Sequence, residues 1–216
     1  SQTQDIFFID REGLAISGLG LEIDEGYLEE NVEVGVSNNI LSCKNICELA
    51  DQNRVEICQL ISSDKAVRPT NIMGASKRLC ELIFQSFSEQ SNDTIFSMVR
   101  FGNVLDSSGS VVPKFRKQIQ DGGPVTVTHK EVVRYFMTIK EACILILEAS
   151  FLARGGEVFL LDMGKEIRIL DLARQMIELS GGNWKDPDSY NFIEIEFTGL
   201  RTGEKMHEEL LIDGEV

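Results

Sequence analysis

The chain is poor in the residues that mark several large classes of protein. It has two histidines, four prolines and one tryptophan. Its five cysteines, Cys43, Cys47, Cys58, Cys80 and Cys143, form no CxxC pair and no histidine cluster follows them. Cys43 and Cys47 share a helix face by their spacing, but two thiols make a poor metal site, so no metal is expected. An odd set of thiols without a framework reads as reduced, small core residues of a cytoplasmic protein. Positive charge is also scarce. With 21 Lys and Arg against 35 Asp and Glu, the formal net charge is -14. That balance excludes the broad basic surface that displaces counterions from nucleic acid. It leaves room for a small anion where a few cations converge. No apolar run reaches the length of a membrane span; the best, 142 to 153, is short and holds Glu148. Residues 1 to 10 lack the basic and apolar regions of a secretory signal, so a soluble, cytoplasmic protein is expected.

What is present is a hydrophobic fraction of 43% over 216 residues, enough for a sizeable core. Short apolar runs alternate with amphipathic stretches, the pattern of an α/β fold with a largely parallel sheet. Helices are predicted over 32–53, 74–90, 113–120 and 169–180, and strands over 55–62, 95–101, 125–128, 157–161 and 192–198. A capping box, Thr138-Ile-Lys-Glu141, opens another helix, and a final helix is predicted over 204–211. Residues 1–25 fit the alternation badly and read as a strand or hairpin.

The densest polar cluster follows the strand that ends near Ile61. It runs Ser62-Ser63-Asp64-Lys65 and continues through Thr70-Asn71-Ile72-Met73-Gly74 to Lys77. Ligands of open α/β sheets sit at the carboxyl ends of strands, which suits a hydroxyl, a carboxylate and an amine placed there. On composition alone, a polar turn capped by Ser63 or Asp64 would be the better explanation.

The order of the residues says more. Ser-Asp-Lys followed by Met-x-x-x-Lys resembles the polysaccharide-biosynthesis branch of the extended short-chain dehydrogenases, the nucleotide-sugar 4,6-dehydratases and epimerases. Further matching segments are Val99-Arg-Phe-Gly-Asn-Val104, Ser107-Ser-Gly-Ser-Val-Val-Pro113, Gly122-Gly-Pro-Val-Thr-Val-Thr128, Arg134-Tyr-Phe-Met137 and Gly199-Leu-Arg-Thr-Gly-Glu-Lys205. The resemblance extends from about 28 to 211. It implies a partial doubly wound, Rossmann-like parallel sheet plus a smaller C-terminal substrate-binding α/β part. The expected division is an atypical segment 1–25, a truncated catalytic part 26–128 and a nucleotide-sugar-binding part 129–216.

The same resemblance implies roles. Lys65 would be the base that takes the C5 proton of a 4-keto sugar, Asp64 the acid that protonates the departing C6 hydroxyl, and Ser63 a hydrogen-bond partner of the substrate. Met73 stands where the wider family has its catalytic tyrosine. A thioether cannot relay a proton, so acid-base work moves to Asp64 and Lys65. Lys77 would hold the nicotinamide ribose. Asn103, Arg134 and Arg201 would contact a nucleoside diphosphate, and Glu204 the ribose hydroxyls. The implied substrate is a UDP-N-acetylhexosamine and the implied cofactor NAD or NADP.

One part of the family pattern is missing. Gly18-Leu-Gly20 lacks the third glycine of a pyrophosphate-binding turn and runs into the acidic residues 22 to 25. Binding of NAD(P) by this chain alone is therefore not expected. Two main readings stay open, beside the duller one of a decayed gene product that folds poorly because apolar surface is exposed. One is a catalytic fragment whose cofactor half comes from a complementing chain or another part of the gene product. The other is a non-catalytic module that binds a nucleotide sugar or a partner subunit, as a homo-oligomer or with another chain. The second draws on a sheet edge that loss of the early strands would expose.

Overall fold

The computed structural model describes residues 5–10, 13–18, 29–107 and 110–211. The chain divides into two compact units: 1–102 with 139–162 and 209–216, and 103–138 with 163–208. It crosses between them at four places, none at the expected boundary near 128, which lies inside the second unit.

The first unit is built on a five-stranded sheet. Strands β1 (Asp5–Asp10) and β2 (Gly13–Gly18) form an antiparallel hairpin, as the sequence suggested for this region. Leu19, Gly20 and the acidic residues 22 to 25 lie outside the described residues. β3 (Ile57–Ser63), β4 (Ile95–Phe101) and β9 (Val158–Leu160) run parallel, in the order β2-β1-β3-β4-β9. β1 pairs antiparallel with β3, from Ile6 opposite Leu60 to Ile9 opposite Ile57. This corrects the expectation of an open edge there: the backbone donors and acceptors of β3 are taken up by the apolar run Ile6-Phe-Phe-Ile9.

Neighbouring residues of a strand face opposite sides of the sheet. Cys58, Leu60, Phe96 and Met98 turn to one side, where they share a core with Cys43, Cys47, Cys80 and Phe84. Those partners come from α2 (Ser42–Gln52) and α3 (Ile72–Gln90). Gln59 faces the other side. It accepts from Ser150 Oγ at 2.8 Å on α5 (Ile139–Leu152) and donates to Ser97 Oγ at 3.2 Å. Helices thus cover both faces, which is why six successive residues, 58 to 63, are all buried.

The helix predicted over 32–53 is present with a fault in its middle. α1 (Val32–Gly35) passes into a π-turn over Val36–Leu41 before α2 begins. The widened turn releases the Asn39 carbonyl to accept from the Cys80 thiol, and lets Asn39 Nδ2 donate to Ser76 Oγ at 2.8 Å. Both partners lie on α3.

The second unit is assembled from short pieces. β5 (Asn103–Val104) pairs parallel with β8 (Phe136–Met137), and β6 (Val125–Val127) with β11 (Ile195–Phe197). β7 (Val133–Arg134) pairs antiparallel with β10 (Ile167–Arg168). α4 (Val111–Gln120) and α6 (Ile169–Leu179) pack Phe115, Ala173 and Ile177 onto Val125 and Val127. Pro113 falls in the first turn of α4, where its missing N–H costs nothing.

The helix predicted over 204–211 does not form. Gly203 has φ +75, and the Met206 carbonyl accepts from Val133 N at 3.1 Å and from Arg134 Nη1 at 3.4 Å. A carbonyl engaged by a neighbouring strand and side chain leaves the i to i+4 ladder of a helix without its acceptor.

Candidate active site

Ser63, Asp64, Lys65 and Met73 sit where β3 ends and α3 begins. β3 stops at Ser63 because the chain tightens into a single 3-10 turn over Asp64–Ala66. Ser63 caps that turn, its Oγ accepting from Lys65 N at 3.3 Å. The same hydroxyl donates to Asp64 Oδ1 at 2.7 Å, and Lys65 Nζ donates to that oxygen at 3.2 Å. Asp64 is wholly buried and the Lys65 side chain is 14% exposed. Asp64 Oδ2 is buried with no hydrogen-bond partner among the described residues. Leaving one such oxygen unmatched costs roughly 1–3 kcal/mol, so the site retains strain that a donor from a ligand would relieve.

α3 begins beside this turn. Asn71 caps it by accepting from Gly74 N at 2.8 Å. Gly74 lies so close to the Lys65 carbonyl that a Cβ there would collide with it. Glu29 Oε1 accepts from Ile72 N at 2.6 Å and from Met73 N at 3.4 Å, closing two of the open donors of the helix. Met73 and Lys77 are buried, at 5% and 2% exposure, and Ser76 Oγ donates to the Met73 carbonyl at 2.8 Å. Ser63, Asp64, Lys65, Met73 and Lys77 therefore all belong to the first unit, on a strand end and a helix start that touch through Gly74.

Asn103, Arg134, Arg201 and Glu204 belong to the second unit. Asn103 N donates to the Tyr135 carbonyl at 3.0 Å. Arg134 is 11% exposed, with Nη2 3.2 Å from Glu204 Oε1 and Nε 3.7 Å from Glu208 Oε1. Its Nη1 also donates to its neighbour's carbonyl, on Val133, at 2.7 Å. Glu204 further accepts from Thr128 Oγ1 at 2.9 Å and, on Oε2, from Arg201 N at 3.1 Å. Two residues expected to serve the nucleotide thus hold each other.

Three further charged residues were not singled out from the sequence. Burial, and after it the Arg201 guanidinium, push the Lys114 ammonium below the ordinary lysine range. Its whole-residue surface is exposed, so the desolvation acts on part of the side chain only. Lys114 directly follows Pro113 of the quoted motif, which was the available signal. Glu29 and the buried Glu81 gave none, since a lone carboxylate in a helical stretch looks like surface.

A dinucleotide needs a strand running into a glycine-rich turn and a helix whose amides meet the pyrophosphate. Among the described residues β1 instead enters a hairpin, and Lys77, the ribose candidate, is enclosed. No such cradle of strand, turn and helix is formed among the described residues. Among the described residues there is no cluster of three or more His, Cys, Asp or Glu suited to a metal, and no described helix is long and apolar enough to cross a membrane.

Comparison with known proteins places the chain in a family. The "Capsular polysaccharide biosynthesis protein CapD" of Staphylococcus aureus is 53% identical over 189 residues, which cover 88% of this chain and 31% of that protein. The chain thus spans about a third of this curated relative. The solved structure of Pen from Bacillus thuringiensis superposes with a TM-score of 0.80 at 36% identity, covering 90% of this chain and 59% of that one. DesIV of Streptomyces venezuelae, a dTDP-glucose 4,6-dehydratase solved with NAD and TYD bound, gives a TM-score of 0.77 at 17% identity, covering 88% and 62%, and shows the shared Rossmann-like fold. A family profile described as "Polysaccharide biosynthesis protein" matches residues 26–216, and the chain belongs to that family.

Proposed function

We propose that this chain handles a nucleotide sugar in surface polysaccharide biosynthesis, as the acid-base and substrate-binding portion of a 4,6-dehydratase or epimerase. The carrying observation is the buried chain Ser63 Oγ to Asp64 Oδ1 to Lys65 Nζ at the carboxyl end of β3. Lys65 and Asp64 start as an ion pair enclosed by protein. Excluding the remaining water disfavours separated charge, and one proton moving from Nζ to the carboxylate leaves an amine and a carboxylic acid. The amine then takes the C5 proton of a 4-keto hexose. The acid gives its proton to the C6 oxygen, and water departs as the C5–C6 double bond forms. Ser63 orients a sugar hydroxyl, and Met73 supplies packing.

Arg134 and Arg201, with Asn103, serve the diphosphate, and Glu204 the ribose, of a UDP-N-acetylhexosamine. The redox steps belong to a cofactor half supplied by a complementing polypeptide or another part of the gene product. The thiols, four of the five buried and none in a disulfide, suit the reducing cytoplasm.

The test needs no cofactor. A UDP-linked 4-keto-6-deoxyhexosamine incubated with the chain in deuterated water should gain deuterium at C5, and Lys65→Met should abolish the gain. Tight binding of the nucleotide sugar without exchange would favour a non-catalytic binding module, the reading that the missing dinucleotide cradle supports. No binding and no exchange would dismiss both.

A further inference from the structure

Arg100 and Glu81 are wholly buried. Arg100 Nε and Nη2 donate to Glu81 Oε1 and Oε2 at 2.7 and 2.8 Å. Arg78 Nη1 adds a bond to Oε2 at 2.9 Å, and Ser62 Oγ one to Oε1 at 2.6 Å. A carboxylate offers about four acceptor positions, so Glu81 is saturated and has none left for a ligand or a proton. Its role lies in what it joins. Ser62 and Arg100 are direct partners in the β3–β4 ladder, and Glu81 stands one helical turn after Lys77 on α3. Ser62 is also the residue before Ser63, whose side chain takes the opposite face.

We infer that Glu81, fixed by Arg100, is a positioning residue that locks the end of β3 to α3 through Ser62, and so sets where Ser63, Asp64 and Lys65 sit relative to Lys77. A well-packed apolar pair at 81 and 100 would hold the layers together equally well, because desolvation offsets most of the gain from a buried ion pair. It would leave the strand end free to shift along the helix. A directional, saturated carboxylate does not. The inference rests on the proposed acid-base reading of Asp64 and Lys65, but its test requires neither substrate nor turnover.

The test is competitive acetylation of the full chain with acetic anhydride, read by mass spectrometry, with exposed Lys117 and Lys130 as internal standards. Ser62→Ala cuts the link to β3 and leaves the Arg100–Glu81 pair intact. Acetylation of Lys65 should rise about fivefold, the order of one net hydrogen bond, as its contact with Asp64 loosens. Ser62→Thr, which restores the hydroxyl, should return the rate to that of the unmodified chain. Because Glu81→Gln alone could unfold the protein, the second variant is E81L/R100L, in which an unchanged melting temperature with faster Lys65 labelling is expected. An unchanged Lys65 rate in both S62A and E81L/R100L would overturn the inference, as would a rise in S62A that Ser62→Thr fails to reverse. Failure of deuterium exchange with the Lys65 result intact would strike the proposed reaction and leave the positioning role standing.

Discussion

Lys65 Nζ lies 3.2 Å from Asp64 Oδ1, and the same oxygen accepts from Ser63 Oγ at 2.7 Å. One carboxylate oxygen therefore carries both contacts, while Oδ2 has no partner among the described residues. If the pair handles the proton as proposed, Asp64→Asn removes the acid and retains an acceptor oxygen. C6 elimination from a 4-keto sugar should fall by about 10²–10⁴-fold, the range of a positioned general acid. C5 exchange should fall less than in Lys65→Met. Mass spectrometry of the product distinguishes the two, and equal loss in both variants would contradict the separate roles.

Gly74→Ala sets two effects against each other. Replacing glycine inside a helix ordinarily stabilises by about 1 kcal/mol. Here the new Cβ meets the Lys65 carbonyl, a backbone atom that cannot step aside. Overpacking of this kind costs about 1–3 kcal/mol. A net loss of stability in urea unfolding is expected, together with weaker nucleotide-sugar binding; a net gain would show that the turn yields.

Arg100→Met leaves the Glu81 carboxylate buried with Arg78 as its one remaining guanidinium. Removing one partner of a buried pair costs about 3–5 kcal/mol. Denaturant unfolding should show a loss of that order, and the amides flanking Leu210, whose carbonyl accepts from Arg100 Nη1 at 3.3 Å, should exchange faster once that anchor is gone.

The thiols give a prediction in pH. A hydrogen bond with Cys47 foremost, and burial, push Cys43 well above its ordinary 9.0; burial does the same to Cys58. The folded state then prefers the protonated thiols. Their contribution is fully present below the ordinary value and is lost as pH rises past about 9. Urea unfolding at pH 8 and pH 10 should show the protein less stable at the higher pH. A thiol reagent at pH 8 should find Cys143 in the native chain and all five cysteines after unfolding.

Much of the first unit was legible because its signals are local. Residues 95–101, broken only by Ser97 and Arg100, form a largely apolar run between polar turns, and β4 occupies those residues. α3 begins at Ile72, two residues before the predicted start, because Asn71 caps it. The resemblance of Ser63-Asp64-Lys65 to a known motif also led to a real cluster. The second unit was harder to read, since its strands are two or three residues long and too short to show a period.

The order of residues by itself determined the α/β alternation and the family, and it pointed to the candidate acid-base groups. Those properties reside in spacing and side-chain type. Only the tertiary structure decided that β1 closes the edge of β3, that residues 204–211 are not helical, that Arg134 and Glu204 bind each other, and that Glu81 saturates its bonds within the core. Each depends on a hydrogen-bonding group finding a partner remote in sequence, as Val133 finds Met206, and no local pattern encodes which partner that will be.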